Sequence, residues 1–203
     1  MMKKVIVIQG SPGTGKSTVA KKLTSILNAT HIDISRLIED EKLYVGIDER
    51  RSGAKIADKR RLLKKLVEII ESSDRDVVVE GHFADIVPRK LIKCAIVLRV
   101  DPRELEKRLI KRKWPIKKVR ENVLAEVLDE CLIRAIQAYG EDMVREIDAT
   151  GKNSDEIVNE ILKAISDGDQ YKPGRINWIK KLSDEGILDD FLRTYSALET
   201  EKR

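Results

Sequence analysis

Val5-Ile6-Val7-Ile8-Gln9-Gly10-Ser11-Pro12-Gly13-Thr14-Gly15-Lys16-Ser17-Thr18 is the stretch whose reading decides the fold. Its first part is a continuous β-branched run, the signature of a strand buried on both faces. Residues 10–17 then fit G-x-x-x-x-G-K-[ST], and a helical pattern is predicted from about Lys16 to Leu27. Strand, Gly-rich loop and helix in that order form the context in which this motif cradles phosphate. Gly13 and Gly15 let backbone N–H groups turn inward in conformations costly for other residues. The helix adds unpaired N–H donors and the positive end of its dipole. Lys16 is the point charge expected on the β- and γ-phosphates, Ser17 offers its hydroxyl to Mg²⁺, and Thr18 adds a contact to the α-phosphate. ATP with Mg²⁺ is therefore the expected ligand.

Working outward, short β-branched runs alternate with helical segments. Strands are predicted at 4–9, 31–33, 76–80, 94–100 and 143–148, with Ser35 as a candidate helix N-cap. Residues 56–71 place apolar side chains at spacings of three and four, as an amphipathic helix does. Asp101 and Pro102 open another helix, capping and first-turn residue respectively. Residues 115–139 read as one long helix closed by Gly140, and a last one spans 154–166. The fold class expected is α/β: a phosphate-loop domain at 1–168, with a five-stranded parallel sheet covered by helices on both faces. Residues 169–203 follow a change of character at Pro173-Gly174 and form a helical C-terminal extension. Its apolar stripe, Trp178 through Leu192, is expected to pack back on the domain, with a partner-docking face as the alternative, and to be dispensable for nucleotide chemistry.

Composition narrows the classes further. The chain has 203 residues, 41% hydrophobic but only 4% aromatic, so its core must be aliphatic. No run approaches the ~18 apolar residues of a membrane span, and the N-terminal run is too short for a signal peptide. Cys94 and Cys131 lie in apolar patterns outside any C-x-x-C, which suggests buried free thiols in a cytoplasmic protein. The net charge of +5 is uneven: residues 50–65 carry eight Lys/Arg against one Asp, and residues 103–120 carry nine against two Glu. Two basic segments beside a phosphate loop point to nucleotide, with nucleic acid as the other possibility. The N-K-x-D guanine reader of GTPases is absent from the sequence. Small size and two basic segments favour a nucleotide kinase over a motor or transporter ATPase.

Further motifs follow in order: E-x-L-Y-x-G-x-D at residues 41–48, E-G-H at 80–82, V-L-R-V-D at 97–101, R-L-x-x-R at 108–112 and E-N-V-x-x-E at 121–126. With the phosphate loop, these make residues 10 to about 165 resemble an unusual branch of the adenylate kinases. This is the isoenzyme-six type, which includes the coilin-interacting nuclear ATPase and archaeal relatives. The resemblance implies a nucleoside-monophosphate-kinase fold with its acceptor-binding region around 33–56 and its lid around 111–121. It also implies adenylate kinase activity (ATP plus AMP giving two ADP), ATP hydrolysis, and a part in small-ribosomal-subunit maturation through a small-subunit ribosomal protein and rRNA.

Five side chains are assigned catalytic roles. Lys16 is described above. Arg108 and Arg112, four apart on one helix face, read as a clamp for the transferring phosphoryl group or as a solvated basic face. Arg112 matches the lid's nucleotide contact in the related kinases. Glu80 ends a buried strand, where it orders Mg²⁺ through water or holds an attacking water; the related kinases often carry Asp there. His82 matches a histidine linked there to ATP hydrolysis, whereas His31 reads as structural. On the acceptor side the related kinases hold the AMP phosphate with an Arg where this chain has Glu39, leaving Arg36, Arg50, Arg51 or Arg89 to substitute.

Overall fold

A computed structural model of the chain describes residues 5–48 and 54–196. Along the chain run β1 (Val5–Gln9), α1 (Lys16–Leu27), β2 (Thr30–Asp33), α2 (Ile34–Asp40), β3 (Tyr44–Asp48), β4 (Ala54–Ala57) and α3 (Lys59–Ser72). Then come β5 (Val77–Glu80), β6 (Ile92–Arg99), α4 (Pro102–Lys111), α5 (Ile116–Val127) and α6 (Glu130–Tyr139). The chain continues through β7 (Val144–Asp148), α7 (Ser154–Ser166), α8 (Trp178–Asp184) and α9 (Leu188–Ser196). Five strands form one parallel sheet in the order β2-β5-β1-β6-β7. Chain direction across the sheet reverses at β1, so the crevice at its carboxyl end is where such sheets bind ligands.

Period-two alternation sorts the strand residues between two cores. Ile6 and Ile8 face a cluster with α1, α4, α5 and α7, while Val5 and Val7 face one with α3 and α6. The helices thus cover both faces, as the continuous apolar strands require. The C-terminal helices are not separate from this core. Leu182, Phe191 and Tyr195 are buried in the same cluster as Leu105, Val123 and Ile161, a burial worth roughly 1.5–3 kcal/mol for each fully covered side chain. The stripe packs back on the domain. Among the described residues no helix is long and apolar enough to cross a membrane.

Four local expectations are corrected. Asp33, not Ser35, caps α2: its carboxylate accepts the Ser35 and Arg36 backbone N–H groups at 2.9 and 3.1 Å. A carboxylate with β-region backbone at the strand end serves better than a hydroxyl two residues on. Ile56 is not helical but pairs with Gly46 in the antiparallel β3–β4 hairpin, and α3 starts only after Asp58 caps it. The single helix expected at 115–139 is two, because Asp129 adopts φ +57° and breaks it between α5 and α6. The two thiols also differ: Cys94 is buried and Cys131 only half-buried, and burial pushes each up to about 11. Lys4, Arg50, Arg51 and Leu198 lie outside the described residues.

Candidate active site

The phosphate loop leaves β1 at Gly10 and turns into α1 at Gly15. Gly13 has φ +95°, and a Cβ there would meet Leu105 Cδ1 at 2.9 Å and Leu109 Cδ2 at 3.0 Å. The loop is therefore pressed against α4, which only glycine permits. At Gly15, φ is +98° and a Cβ would meet nothing within 4 Å, so backbone conformation alone demands glycine. The Ser11 carbonyl closes the loop on itself. It accepts the Thr14 N–H at 3.3 Å, the Thr14 hydroxyl at 2.9 Å and the Lys16 ammonium at 3.0 Å. Lys16 is only 9% exposed, and burial lowers its proton affinity. Cys131, Glu80 and Glu126 pull the other way, and Arg112 adds to the lowering. An entering polyphosphate would offer this lysine the anion it lacks.

Ser17 and Thr18 are exposed on the first turn of α1, Ser17 with its hydroxyl at the Glu80 carboxylate. Glu80 ends β5, level with Ile8 of β1 and Asp33 of β2, and is 2% exposed. Burial disfavours its charge. His31, Ser17 and Lys16 outweigh that, so the carboxyl lies below its usual range. Glu80 Oε1 and His31 Nε2 face each other at 3.7 Å, too long for a hydrogen bond, and both are buried without a partner. A buried carboxylate oxygen with spare capacity beside the Ser17 hydroxyl suits Mg²⁺, which is held by one or two carboxylates together with substrate phosphates and waters. Among the described residues no group of three His, Cys, Asp or Glu side chains forms an all-protein metal cage. His31, read from sequence as structural, thus sits in the site.

His82 lies two residues beyond, its ring 3.9 Å from that of Phe83. Burial, then the charges of Lys16 and Arg134, push its imidazole down to about 4, so it is neutral near pH 7. Asp85 fixes this segment. It accepts two Nη2 hydrogen bonds from Arg134 at 2.9 Å, and one from Gln9 Nε2 at 3.2 Å.

The expected arginine clamp is divided. Arg108 donates to the Gly13 carbonyl and the Ala149 carbonyl, each at 3.3 Å, and to Glu104 one turn earlier. It braces the phosphate loop from α4. Arg112 caps the end of α4, is exposed, and lies near enough to Lys16 to act on its charge. The segment expected to form a lid is a tight corner between α4 and α5, with Lys113 at φ +57° and Pro115 leading into α5.

Of the arginines expected to serve the acceptor, Arg36 pairs with Asp40 at 3.3 Å and Arg89 with Asp142 at 3.1 Å, both exposed. Glu39, in the position of the expected arginine, pairs with Lys55. Lys55 also lies 4.5 Å over the Tyr44 ring and belongs to the hairpin that sequence reading missed.

Behind the loop lies a buried polar network that joins Arg99 of the 97–101 motif to Glu126 of the 121–126 motif, a pairing that neither motif announced. Arg99, 1% exposed, donates from Nε to Glu126 Oε1 at 2.8 Å and from Nη1 to Glu146 Oε1 at 2.6 Å. Its Nη2 donates to the Glu126 carbonyl at 3.0 Å and to Asp129. Burial opposes its charge, but Glu126, Asp129 and Glu146 raise its proton affinity well above the ordinary value. Burial conversely raises the Glu146 carboxyl, with Arg99 and two backbone N–H groups opposing. The available signal was an arginine inside an apolar strand and a glutamate ending a helical motif, too far apart in the chain to be paired by spacing.

A parallel sheet, a phosphate loop at the turning point and a carboxylate on the neighbouring strand define a kinase-like P-loop nucleotide-binding fold. Residues 6–129 match the AAA domain family. Three archaeal proteins named "Putative adenylate kinase" are similar over most of their length. That of Methanocaldococcus jannaschii is 35% identical across 91% of this chain and 98% of its own. That of Pyrococcus furiosus is 36% identical across 87% and 92%, and that of Saccharolobus islandicus 31% across 97% and 99%. A gluconokinase from Sinorhizobium meliloti shares the fold, with a TM-score of 0.53 at 18% identity over 83% of this chain and 95% of its own. The chain belongs to this archaeal adenylate-kinase-like family of AAA-domain P-loop proteins.

Proposed function

We propose that the chain is a Mg²⁺-dependent nucleoside-monophosphate kinase that converts ATP and AMP to two ADP, with ATP hydrolysis as a second reaction at the same site. The observation that carries the reading is the convergence of Lys16, Ser17, Glu80 and Arg112 on the mouth of the loop at the carboxyl ends of β1 and β5. An α-phosphate oxygen of AMP attacks the γ-phosphorus of ATP, and the bond from that phosphorus to the β,γ-bridging oxygen breaks. Lys16 leaves the Ser11 carbonyl for the β- and γ-oxygens, and the loop N–H groups take the α- and β-phosphates. Ser17 and Glu80, the latter through water, would hold Mg²⁺, which would supply positive charge to offset that of the phosphates. Arg112 reaches the transferring group from the lid, while Arg108 keeps the loop seated against α4. Relatives carrying the name "Putative adenylate kinase" support this choice of acceptor. The decisive measurement is initial ADP formation from MgATP with and without AMP. Acceleration by AMP is expected, and a rate indifferent to AMP would refute the kinase reading.

A second reading, chiefly an ATPase acting on a small-subunit ribosomal protein and rRNA, rests on the resemblance to isoenzyme six. Two observations favour it. His82 is held neutral beside Lys16, able to accept a hydrogen bond from water, and Glu39 occupies the position of an AMP-phosphate arginine. Hydrolysis insensitive to AMP, together with retention on rRNA, is its expected signature. Both readings suit a cytoplasmic protein.

A further inference from the structure

The C-terminal extension ends up hydrogen-bonded into the back of the phosphate loop. Trp178, 4% exposed at the start of α8, donates its indole N–H to Glu126 Oε1 at 3.1 Å. The other oxygen of the same carboxylate accepts the Ser11 hydroxyl at 2.6 Å. Ser11 in turn holds Lys16 through its carbonyl. Three bonds therefore connect a residue of the extension to the lysine of the loop. A second tie fixes where Trp178 sits. Glu146 Oε2 accepts the backbone N–H groups of Gly174, Arg175 and Ile176 at 3.0, 3.0 and 3.3 Å. That strap is anchored to the same Arg99 that holds Glu126.

We propose that Glu126 is a positioning residue for phosphate binding, and that Trp178 sets it, which makes the extension a working part of the nucleotide site. The inference rests on the P-loop being the nucleotide site and goes beyond it in assigning these two roles. A carboxylate with two oxygens and fixed donors on one of them has a defined orientation. Arg99 Nε, the Val100 N–H at 3.2 Å and Trp178 all donate to Oε1, so Oε2 is aimed at Ser11. Removing the indole donor frees one corner of that arrangement. The Ser11 turn, and with it the starting position of Lys16, then loses definition before any nucleotide arrives. When phosphate draws Lys16 from the Ser11 carbonyl, the change reaches Glu126 and the indole by the same path.

Trp178 supplies the readout, because Trp114 is the only other tryptophan. With Trp114→Phe as background, MgADP titration is expected to change Trp178 emission. Adding Ser11→Ala should weaken MgADP binding about five- to tenfold, a fraction of what a hydrogen bond to a charged group is worth, and should abolish the emission change. In the full chain Trp178→Phe, which keeps a ring but removes the donor, should weaken MgADP binding by a similar factor. The double variant Ser11→Ala/Trp178→Phe should bind no more weakly than Ser11→Ala alone, since both act through one path. An emission change that survives Ser11→Ala overturns the proposal, and so do losses that multiply in the double variant. If Trp178→Phe does not fold, the Ser11→Ala emission experiment decides alone. An unsubstituted chain that binds no MgADP refutes the nucleotide-site reading and the coupling with it.

Discussion

Replacing Arg99 with Leu tests whether the buried network is held by charge. Leu is apolar and smaller than Arg, so the substitution removes the cation from among Glu126, Glu146 and Asp129, of which the two glutamates are each 2% exposed. Removing one partner of a buried pair costs ~3–5 kcal/mol. Here the lower end applies, because both glutamates keep other donors: Ser11, Trp178 and the Val100 N–H for Glu126, and the strap N–H groups for Glu146. At ~2–4 °C per kcal/mol for a chain of this size, ~3 kcal/mol lowers Tm by ~6–12 °C. The sign of the pH dependence follows from Glu146, whose carboxyl is already raised by burial and rises further without Arg99. A carboxyl with its folded pKa above the unfolded value adds stability as pH falls through the folded value, and loses it as pH rises. The deficit of Arg99→Leu should therefore be largest at pH 7–8 and narrow toward about pH 5. Adding Glu146→Gln, which keeps an acceptor for the strap, should recover part of it at neutral pH. Thermal melts of the wild type and both variants between pH 5 and 8 measure this. A Tm within 2 °C of wild type, or a deficit flat with pH, would refute the electrostatic account.

The other expectations concern the site itself. Lys16→Ala should abolish the kinase and ATPase reactions together with MgADP binding; loss of one reaction alone would mean two sites. Arg112→Ala should lower kcat about 10²–10³-fold, the scale of one transition-state donor, with a smaller change in KM for ATP, as steady-state kinetics will show. His82 should titrate near 4 by NMR and rise when MgADP adds negative charge nearby. Its folded value is below the ordinary 6.5, so the stability of the neutral form is present above about 6.5 and lost as pH falls toward 4. That loss reaches at most about 3 kcal/mol and should be absent in His82→Asn. Truncation after Gly168 uncovers the side of the core that Leu182, Phe191 and Tyr195 now fill. It should lower Tm and weaken MgADP binding; full affinity in a folded truncated chain would restore the simpler expectation of a dispensable appendage.

What the sequence determined by itself is local. The strand, the glycine turn and the helix of the phosphate loop are set by near neighbours between Val5 and Leu27, and α1 and α7 start and stop where their patterns do. Continuous apolar runs set between helical segments likewise specified five strands with two covered faces. Where short-range chemistry offered two solutions, the reading went astray: Ile56 suits a strand as well as a helix, and nothing near Asp129 announces φ +57°. The site's environment was decided by tertiary structure, because its partners are far apart in the chain. His31 meets Glu80 only because β2 lies beside β5, and Arg108 braces Gly13 only because α4 packs on the loop. The network of Ser11, Arg99, Glu126, Glu146 and Trp178 draws on five separate segments. Each of those polar groups is tolerable in the interior only when the others arrive, since a buried donor or charge is stable only with its partner, and no single segment carries that information.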